Sequence, residues 1–321
     1  MQKRFVTGRY TSVFLSVAAL LLWLAGLVFQ ASDNVYSVLD PYASPVLHGW
    51  AGRLFSFILY VVVAYILNSL VVLESSTPWL AGLFLWVASS LFLIHADFIL
   101  AFSTLLFTIA TVLLFSCYRP QGVERRIYTA FMLLACVTLL FPQALYVFPL
   151  FAIYLVMVRM LTVRHTLAAL LGVITPYWIL FGTVYLVPSL SFLTLPFDTG
   201  LSGLFSGYSF HADIQVPLQL FMVLEFVILS VAILLFFVTS SPANPVMRNM
   251  LIYIMISNLA MWVLSWFSNI CMEVFLAWRL PGFALLSAYI FTVRRTKLLN
   301  MFFVIFNITL LVIAALGIWN G

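Results

Sequence analysis

Residues 78–117 read PWLAGLFLWVASSLFLIHADFILAFSTLLFTIATVLLFSC, and this stretch decides the fold. Its only Asp, Glu, His, Lys or Arg residues are His95 and Asp97, near the middle. A bilayer's hydrocarbon core is crossed by a helix of about 20 residues, so one helix over the whole stretch would be far too long. We therefore expect two membrane-spanning helices that meet at a tight connection over residues 95–97.

The rest of the chain has the same apolar character. Of its 321 residues, 65% are hydrophobic and only 7% are charged, whereas an ordinary soluble domain carries about 25% charged residues. So few charged side chains cannot cover a soluble fold of this size. The composition excludes a soluble enzyme, a nucleic-acid-binding module, a disordered chain and a disulfide scaffold. It indicates one integral membrane domain over residues 1–321.

Counting apolar runs extends this result to an all-α, polytopic helical bundle of about eleven spans. Two pairs of runs are separated only by short polar joints, at residues 95–97 and 141–143, and we divide both pairs because one helix would be too long. The expected spans are 12–30, 54–73, 78–95, 97–117, 127–141, 143–161, 166–188, 216–239, 249–269, 276–293 and 299–318.

The basic residues predict the orientation of these spans. Cytoplasmic loops of membrane proteins carry an excess of Lys and Arg, and a cytoplasmic N-terminus places twelve of the fourteen basic residues inside. Only Arg53 and Arg279 then fall outside. Eleven spans put the C-terminus on the extracytoplasmic side. The net charge of +5 follows from this asymmetry and does not indicate a nucleic-acid partner.

Two sequence features argue against a metal site or a disulfide framework. The three cysteines, Cys117, Cys136 and Cys271, are odd in number and far apart in sequence. Neither a structural disulfide set nor a cysteine metal-binding motif has that pattern. We expect no metal ligands, and the sequence does not identify a cofactor.

The first outer loop, residues 31–52, is the first candidate site. It contains Asp33 and Asp40, and Arg53 follows it. A carboxylate at the membrane surface can act as a general base, and an arginine can bind a lipid phosphate. Alternatively, the loop is a solvated connector whose polar groups only keep it in water.

The joint at His95 and Asp97 is the second candidate site. Both groups are predicted at the outer face, where they can contribute to catalysis or substrate binding. Asp97 also precedes an apolar helix, and an aspartate there caps the free backbone N–H groups of the first turn. The capping role and the catalytic role are compatible with each other.

Glu225 is the third candidate, because it lies within an otherwise apolar span. An ionisable group inside a membrane is costly and marks a pathway, a partner or a site. We expect it to face other helices, with Arg279 or the pair Ser257 and Asn258 as its partner. Alternatively, it is a protonated side chain in one interhelical hydrogen bond.

Two resemblances follow from these residues. Segment 140–178, LFPQALYVFPLFAIYLVMVRMLTVRHTLAALLGVITPYW, and the ending Arg294-Arg295-x-Lys297 are similar to a family of polytopic inner-membrane proteins of Gram-negative bacteria that has no agreed activity. This implies the bacterial inner membrane as the location. The layout resembles GT-C-type glycosyltransferases that use polyprenyl-phosphate-linked sugars, with acids in the first outer loop and between spans three and four. The chain lacks their paired acidic motif and their soluble C-terminal domain.

Three functions remain open from the sequence. The first is a GT-C-like transferase for a lipid-linked sugar at the extracytoplasmic face, with Asp33, Asp40 and Asp97 as catalytic carboxylates and Arg53, His95, Arg279 and Glu225 as substrate-binding residues. The second is a transporter or flippase, which needs several ionisable groups along a central path. The third is a non-catalytic scaffold of a cell-envelope assembly complex. Membrane lipid is the expected partner in each case.

Overall fold

The computed structural model describes residues 11–29, 50–68, 79–95, 97–118, 121–189, 194, 215–238, 245–266, 272–293 and 296–320. Within these residues the chain forms eleven α-helices and no strand. They are α1 (Thr11–Phe29), α2 (Trp50–Asn68), α3 (Trp79–Ser90), α4 (Phe98–Phe115), α5 (Val123–Leu140), α6 (Phe148–Met157), α7 (Val163–Leu186), α8 (Val216–Val238), α9 (Pro245–Trp266), α10 (Met272–Val293) and α11 (Lys297–Asn320).

Each of the eleven apolar runs overlaps one of these helices, and a break in the helical structure occurs at both polar joints as expected. A short 3₁₀ segment, Phe92–Ile94, follows α3, and α4 begins after Asp97. At the second joint, Phe141 is extended and a 3₁₀ segment, Pro142–Val147, leads into α6. The residue before a proline avoids the helical conformation, which explains the break at Phe141.

Seven helices are long and apolar enough to cross a membrane, namely α2, α4, α7, α8, α9, α10 and α11. The apolar helix α3 and the segment Pro142–Met157 are shorter. The described part of the chain is therefore an all-α bundle typical of an integral membrane protein.

Helix α10 lies at the centre of the bundle. It packs against α3, α4, α8 and α9, and 94% of the residues in its apolar stretch are buried. Helix α7 lies at the periphery, where only 17% of that stretch is buried and α5 is its main neighbour. The apolar side chains exposed on α7 suit contact with lipid.

Candidate functional site

Five of the seven residues selected from the sequence lie in the described part of the chain: Arg53, His95, Asp97, Glu225 and Arg279. The other two, Asp33 and Asp40, lie outside the described residues. The five described residues lie in the first turn of α2, at the start of α4, and within α8 and α10.

Four ionisable side chains gather where α2, α4 and α10 begin. Arg53 lies in the first turn of α2, His95 precedes α4, Asp97 is the N-cap of α4 and Glu273 lies in the first turn of α10. Arg53 interacts electrostatically with His95, and Asp97 with Glu273. We call Arg53, His95, Asp97 and Glu273 the polar end of the bundle.

Asp97 caps helix α4. Its Oδ1 accepts hydrogen bonds from the backbone N–H groups of Ile99, at 2.8 Å, and Leu100, at 3.0 Å. These N–H groups have no partner within the helix, so the carboxylate stabilises the first turn and interacts favourably with the helix dipole. The capping role expected from the sequence is confirmed, and it occupies one carboxylate oxygen.

His95 is buried and held neutral. Its ring stacks on Trp23, with centroids 3.6 Å apart, and its Nε2 lies 3.2 Å from the carbonyl oxygen of Ala88. A carbonyl only accepts hydrogen bonds, so Nε2 carries the proton. The pKa of His95 is lowered to about 3. Burial is the main cause, the hydrogen bond with the Ala88 carbonyl opposes it, and the charge of Arg53 contributes a smaller decrease.

Arg53 lies beneath the surface of the polar end. Arg53 is 8% exposed. Its backbone carbonyl oxygen accepts a hydrogen bond of 3.0 Å from Nε1 of Trp23. Trp23 therefore connects α1 to the start of α2 and, through its stacked ring, to His95. The sequence suggested that Arg53 ends a loop, but α2 already begins at Trp50. A phosphate would have to enter the bundle to reach this guanidinium.

Glu225 and Arg279 form a buried ion pair between α8 and α10. Oε2 of Glu225 lies 3.4 Å from Nη1 of Arg279, and the side chains are 2% and 1% exposed. The same Nη1 donates a hydrogen bond of 3.3 Å to Oγ of Ser265 in α9. The expectations that Glu225 faces other helices and pairs with Arg279 are confirmed. Arg279 was expected at the outer end of its helix, but it lies about two turns inside α10.

Some polar atoms of this pair have no hydrogen-bond partner among the described residues. They are Nε and Nη2 of Arg279 and both carboxylate oxygens of Glu225. Buried polar atoms in this state carry a desolvation cost that a water or a polar ligand would relieve. The pair is therefore a costly polar contact in the interior of the bundle, and with Ser265 it connects three helices.

Glu273 is the functional candidate that the sequence analysis did not select. The sequence places it near the outer end of a span, but its proximity to Asp97 depends on how α10 packs against α4. Residues 97 and 273 are too far apart in sequence for any motif to connect them. Two carboxylates from separate helices that interact electrostatically are suited to acid–base chemistry.

No group of three or more His, Cys, Asp or Glu side chains in the described ranges is arranged to hold a metal ion. The described cysteines, Cys117 and Cys136, are free thiols. The side chains of the polar end offer two carboxylates, Asp97 and Glu273, for proton transfer and one guanidinium, that of Arg53, for an anion. Comparisons with protein-family models, with curated proteins and with solved structures find no match to this chain.

Proposed function

We propose that this protein is a bacterial inner-membrane transferase that acts on a lipid-linked sugar at the extracytoplasmic face. In this proposal eleven helices cross the membrane, the N-terminus is cytoplasmic and the C-terminus is extracytoplasmic. The observation that carries the proposal is the pair of carboxylates, Asp97 and Glu273, beside Arg53 and His95 at one end of the bundle. The distribution of basic residues supports the extracytoplasmic side for this end.

The proposed reaction transfers the sugar from its lipid phosphate to an acceptor hydroxyl. A carboxylate removes the hydroxyl proton as the oxygen attacks the anomeric carbon, and the bond from that carbon to the phosphate oxygen breaks. Because Oδ1 of Asp97 is used in capping α4, we assign the base to Glu273 or to Asp33 or Asp40. Arg53 would neutralise the departing phosphate.

In this proposal Asp33 and Asp40 supply the rest of the site. They precede Trp50, the first residue of α2, and Arg53 lies in the first turn of that helix. Both carboxylates are therefore close in sequence to Arg53 of the polar end. A membrane-surface position suits a substrate whose phosphate lies at the lipid headgroups.

The test is to delete the gene and complement the deletion with single variants, while measuring lipid-linked intermediates. Asp97→Asn keeps the cap, because asparagine caps helices as well as aspartate does, but it removes the charge. We expect intermediates to accumulate in the deletion and in cells with Glu273→Gln, and to a smaller extent with Asp97→Asn, which only changes the charge beside Glu273. The matched control is Glu124→Gln, which removes a carboxylate from the first turn of α5 at the opposite end of α4.

Two results would contradict the transferase proposal. One is a deletion strain whose lipid-linked intermediates equal those of the parent strain. The other is full complementation by a protein that combines Glu273→Gln, Asp97→Asn, Asp33→Asn and Asp40→Asn. Either result would leave a scaffold in an envelope complex, or transport, as the function.

Transport is the second candidate, and the Glu225–Arg279 pair favours it. Ionisable groups deep in a bundle are common along ion and substrate pathways. In this function Glu225→Gln would abolish solute flux in vesicles that contain the protein, while the carboxylates of the polar end would be dispensable. If the protein is a transferase, Glu225→Gln removes the ion pair but none of the groups that are assigned to the reaction.

A further inference from the structure

The helices α5 and α7 pack side by side and run in the same direction. In their first turns Glu124 lies opposite His165, with Oε1 4.0 Å from Nε2. Further along, Gly172 of α7 lies against the backbone of Tyr128 and Met132 of α5. The contacts advance along both helices together, so both first turns lie at the same end of the pair.

Two arginines lie on the same side of this helix pair. Arg125 follows Glu124 in α5, and Arg164 precedes His165 in α7. Successive residues of an α-helix are rotated by about 100° around its axis. When two parallel helices face each other, one step forward on the first helix and one step back on the second turn to the same side. Arg125 and Arg164 therefore flank the same end of one groove between α5 and α7.

The groove continues along the helices as an apolar surface. Two turns after Arg164, on the same face of α7, lies Leu171, which is 58% exposed. The hydroxyl of Tyr128 donates a hydrogen bond of 3.2 Å to that of Thr175, which ties the two helices together beneath the groove. Since α5 is the main neighbour of α7, this face of α7 is directed away from the bundle.

The two guanidinium groups at the end of the groove are not used in holding the fold together. Arg125 and Arg164 are exposed, and neither side chain forms a hydrogen bond or an ion pair with a described residue. Arg126 differs, because its Nη1 donates a hydrogen bond of 2.7 Å to the carbonyl oxygen of Ser116. With Glu124 as the neighbouring carboxylate, the two exposed arginines leave a net positive charge at the end of an apolar groove.

We propose that this groove binds one anionic phospholipid, with its phosphate on Arg125 and Arg164 and an acyl chain along Leu171. Guanidinium groups form strong, often bidentate hydrogen bonds with phosphate oxygens. Basic sites between membrane helices attract anionic head groups, and the apolar surface suits an acyl chain. The ammonium group of a zwitterionic lipid would be repelled by the same guanidiniums. The proposal does not depend on the transferase function, because none of these residues belongs to the polar end.

The test is native mass spectrometry of the purified full-length protein in detergent. Phosphatidylglycerol is titrated and compared with phosphatidylcholine that has the same acyl chains, so that only the head group differs. We expect the first phosphatidylglycerol to bind with a clearly lower apparent dissociation constant than the first phosphatidylcholine. Glycerol 3-phosphate, which carries the phosphate without acyl chains, should not displace the bound lipid.

Two variants and a matched control locate the site. Arg125→Gln and Arg164→Gln should each raise the apparent dissociation constant of phosphatidylglycerol about fivefold, and the double variant should bind both lipids equally. The control is Arg248→Gln, which removes an exposed arginine from the first turn of α9. The main neighbours of α9 are α10 and α8, so this variant should keep the preference of the wild type. All three arginines are exposed, so their replacement by glutamine leaves the packed interior unchanged.

Three results would overturn the proposal. Equal apparent dissociation constants of the two lipids in the wild type would show that the groove does not select an anionic head group. An equal loss of affinity in Arg248→Gln would assign the preference to the overall charge of the protein. Displacement of the lipid by glycerol 3-phosphate would make the two arginines a site for a soluble phosphate.

Discussion

The ion pair of Glu225 and Arg279 is the residue contact with the largest consequence for stability. Both side chains are almost completely buried, and a buried charge without its partner is strongly destabilising. The pair joins α8 to α10, and the bond from Arg279 to Ser265 adds α9. The Arg279 side chain thus contacts two neighbouring helices, in addition to the apolar packing among the three.

We predict a strong coupling between these two residues. Glu225→Leu alone should lower the free energy of unfolding by about 3–5 kcal/mol, because it leaves the guanidinium buried and unpaired. The combination of Glu225→Leu with Arg279→Met should recover most of the loss, since no charge then remains. Chemical denaturation of the wild type, the two single variants and the double variant in detergent gives the coupling energy. Additive losses would show that the two side chains do not interact.

His95 gives the protein a pH-dependent stability. The pKa of the folded state is about 3, whereas an unfolded histidine titrates near 6.5. Between these values the unfolded chain binds more protons, so stability is complete above about pH 6.5 and falls as the pH decreases towards 3. The ring has to stay neutral to remain stacked on Trp23 in its buried position.

We therefore expect the midpoint temperature of the wild type to decrease relative to that of His95→Phe from pH 7 to pH 4.5. His95→Phe retains a ring against Trp23 and removes the titrating group, whereas other acidic groups contribute equally to both proteins. The comparison uses thermal unfolding at constant ionic strength. An identical pH dependence of wild type and variant would assign the effect to other groups.

At the scale of the helices, glycines set the closest contacts. Gly172 of α7 lies against α5, where a Cβ atom would collide with the carbonyl oxygen of Tyr128 and lie 3.1 Å from the backbone nitrogen of Met132. Backbone atoms cannot move aside as a flexible side chain can. Small residues of this kind allow membrane helices to approach closely, and α5 is the main neighbour of α7.

Gly172→Ala should separate α5 from α7, at a cost of about 1–3 kcal/mol. The control is Gly182→Ala in the same helix, where an added Cβ meets nothing within 4 Å. There alanine should be neutral, or stabilising by up to about 1 kcal/mol, because it favours the helix more than glycine does. Chemical denaturation in detergent measures the free energy of unfolding of both variants. Equal effects of the two substitutions would show that the contact is not tight.

The positions of the helices could be predicted from the sequence because the bilayer limits their length. Each of the eleven apolar runs overlaps a helix, and the breaks at Asp97 and Phe141 follow from a capping residue and a proline. The apolar runs placed the first residues of α5 and α10 too late, at 127 and 276, whereas these helices begin at Val123 and Met272. Counting apolar residues misses a polar first turn, and Glu124 and Glu273 lie in those turns, where the helix dipole favours acids.

At the scale of the whole molecule, the site was less predictable than the helices. The pairing of Glu225 with Arg279 could be proposed because few ionisable residues lie within spans. The interaction of Asp97 with Glu273 could not be predicted, since it depends on the packing of α4 against α10. The same holds for the close contact of the Asn258 amide with Gly282, which depends on the packing of α9 against α10.

The membrane topology depends on whether the segment Pro142–Met157 crosses the membrane. Its six 3₁₀ residues and ten α-helical residues extend about 27 Å, only slightly less than a hydrocarbon core of about 30 Å. Between Gln121 and Ser189 the chain contains this segment and the helices α5 and α7. Three crossings place the two residues on opposite sides, whereas a segment that enters and returns places them on the same side.

We predict opposite sides, with Ser189 extracytoplasmic. Both residues are exposed, so Gln121→Cys and Ser189→Cys can be labelled in a background where the three native cysteines are replaced by alanine. A membrane-impermeant maleimide should label Ser189→Cys in intact spheroplasts and Gln121→Cys only after permeabilisation. The basic residues Arg125 and Arg126 near Gln121 favour its cytoplasmic position. Labelling of both cysteines from one side would reduce the number of crossings and reverse the orientation of every helix after α6.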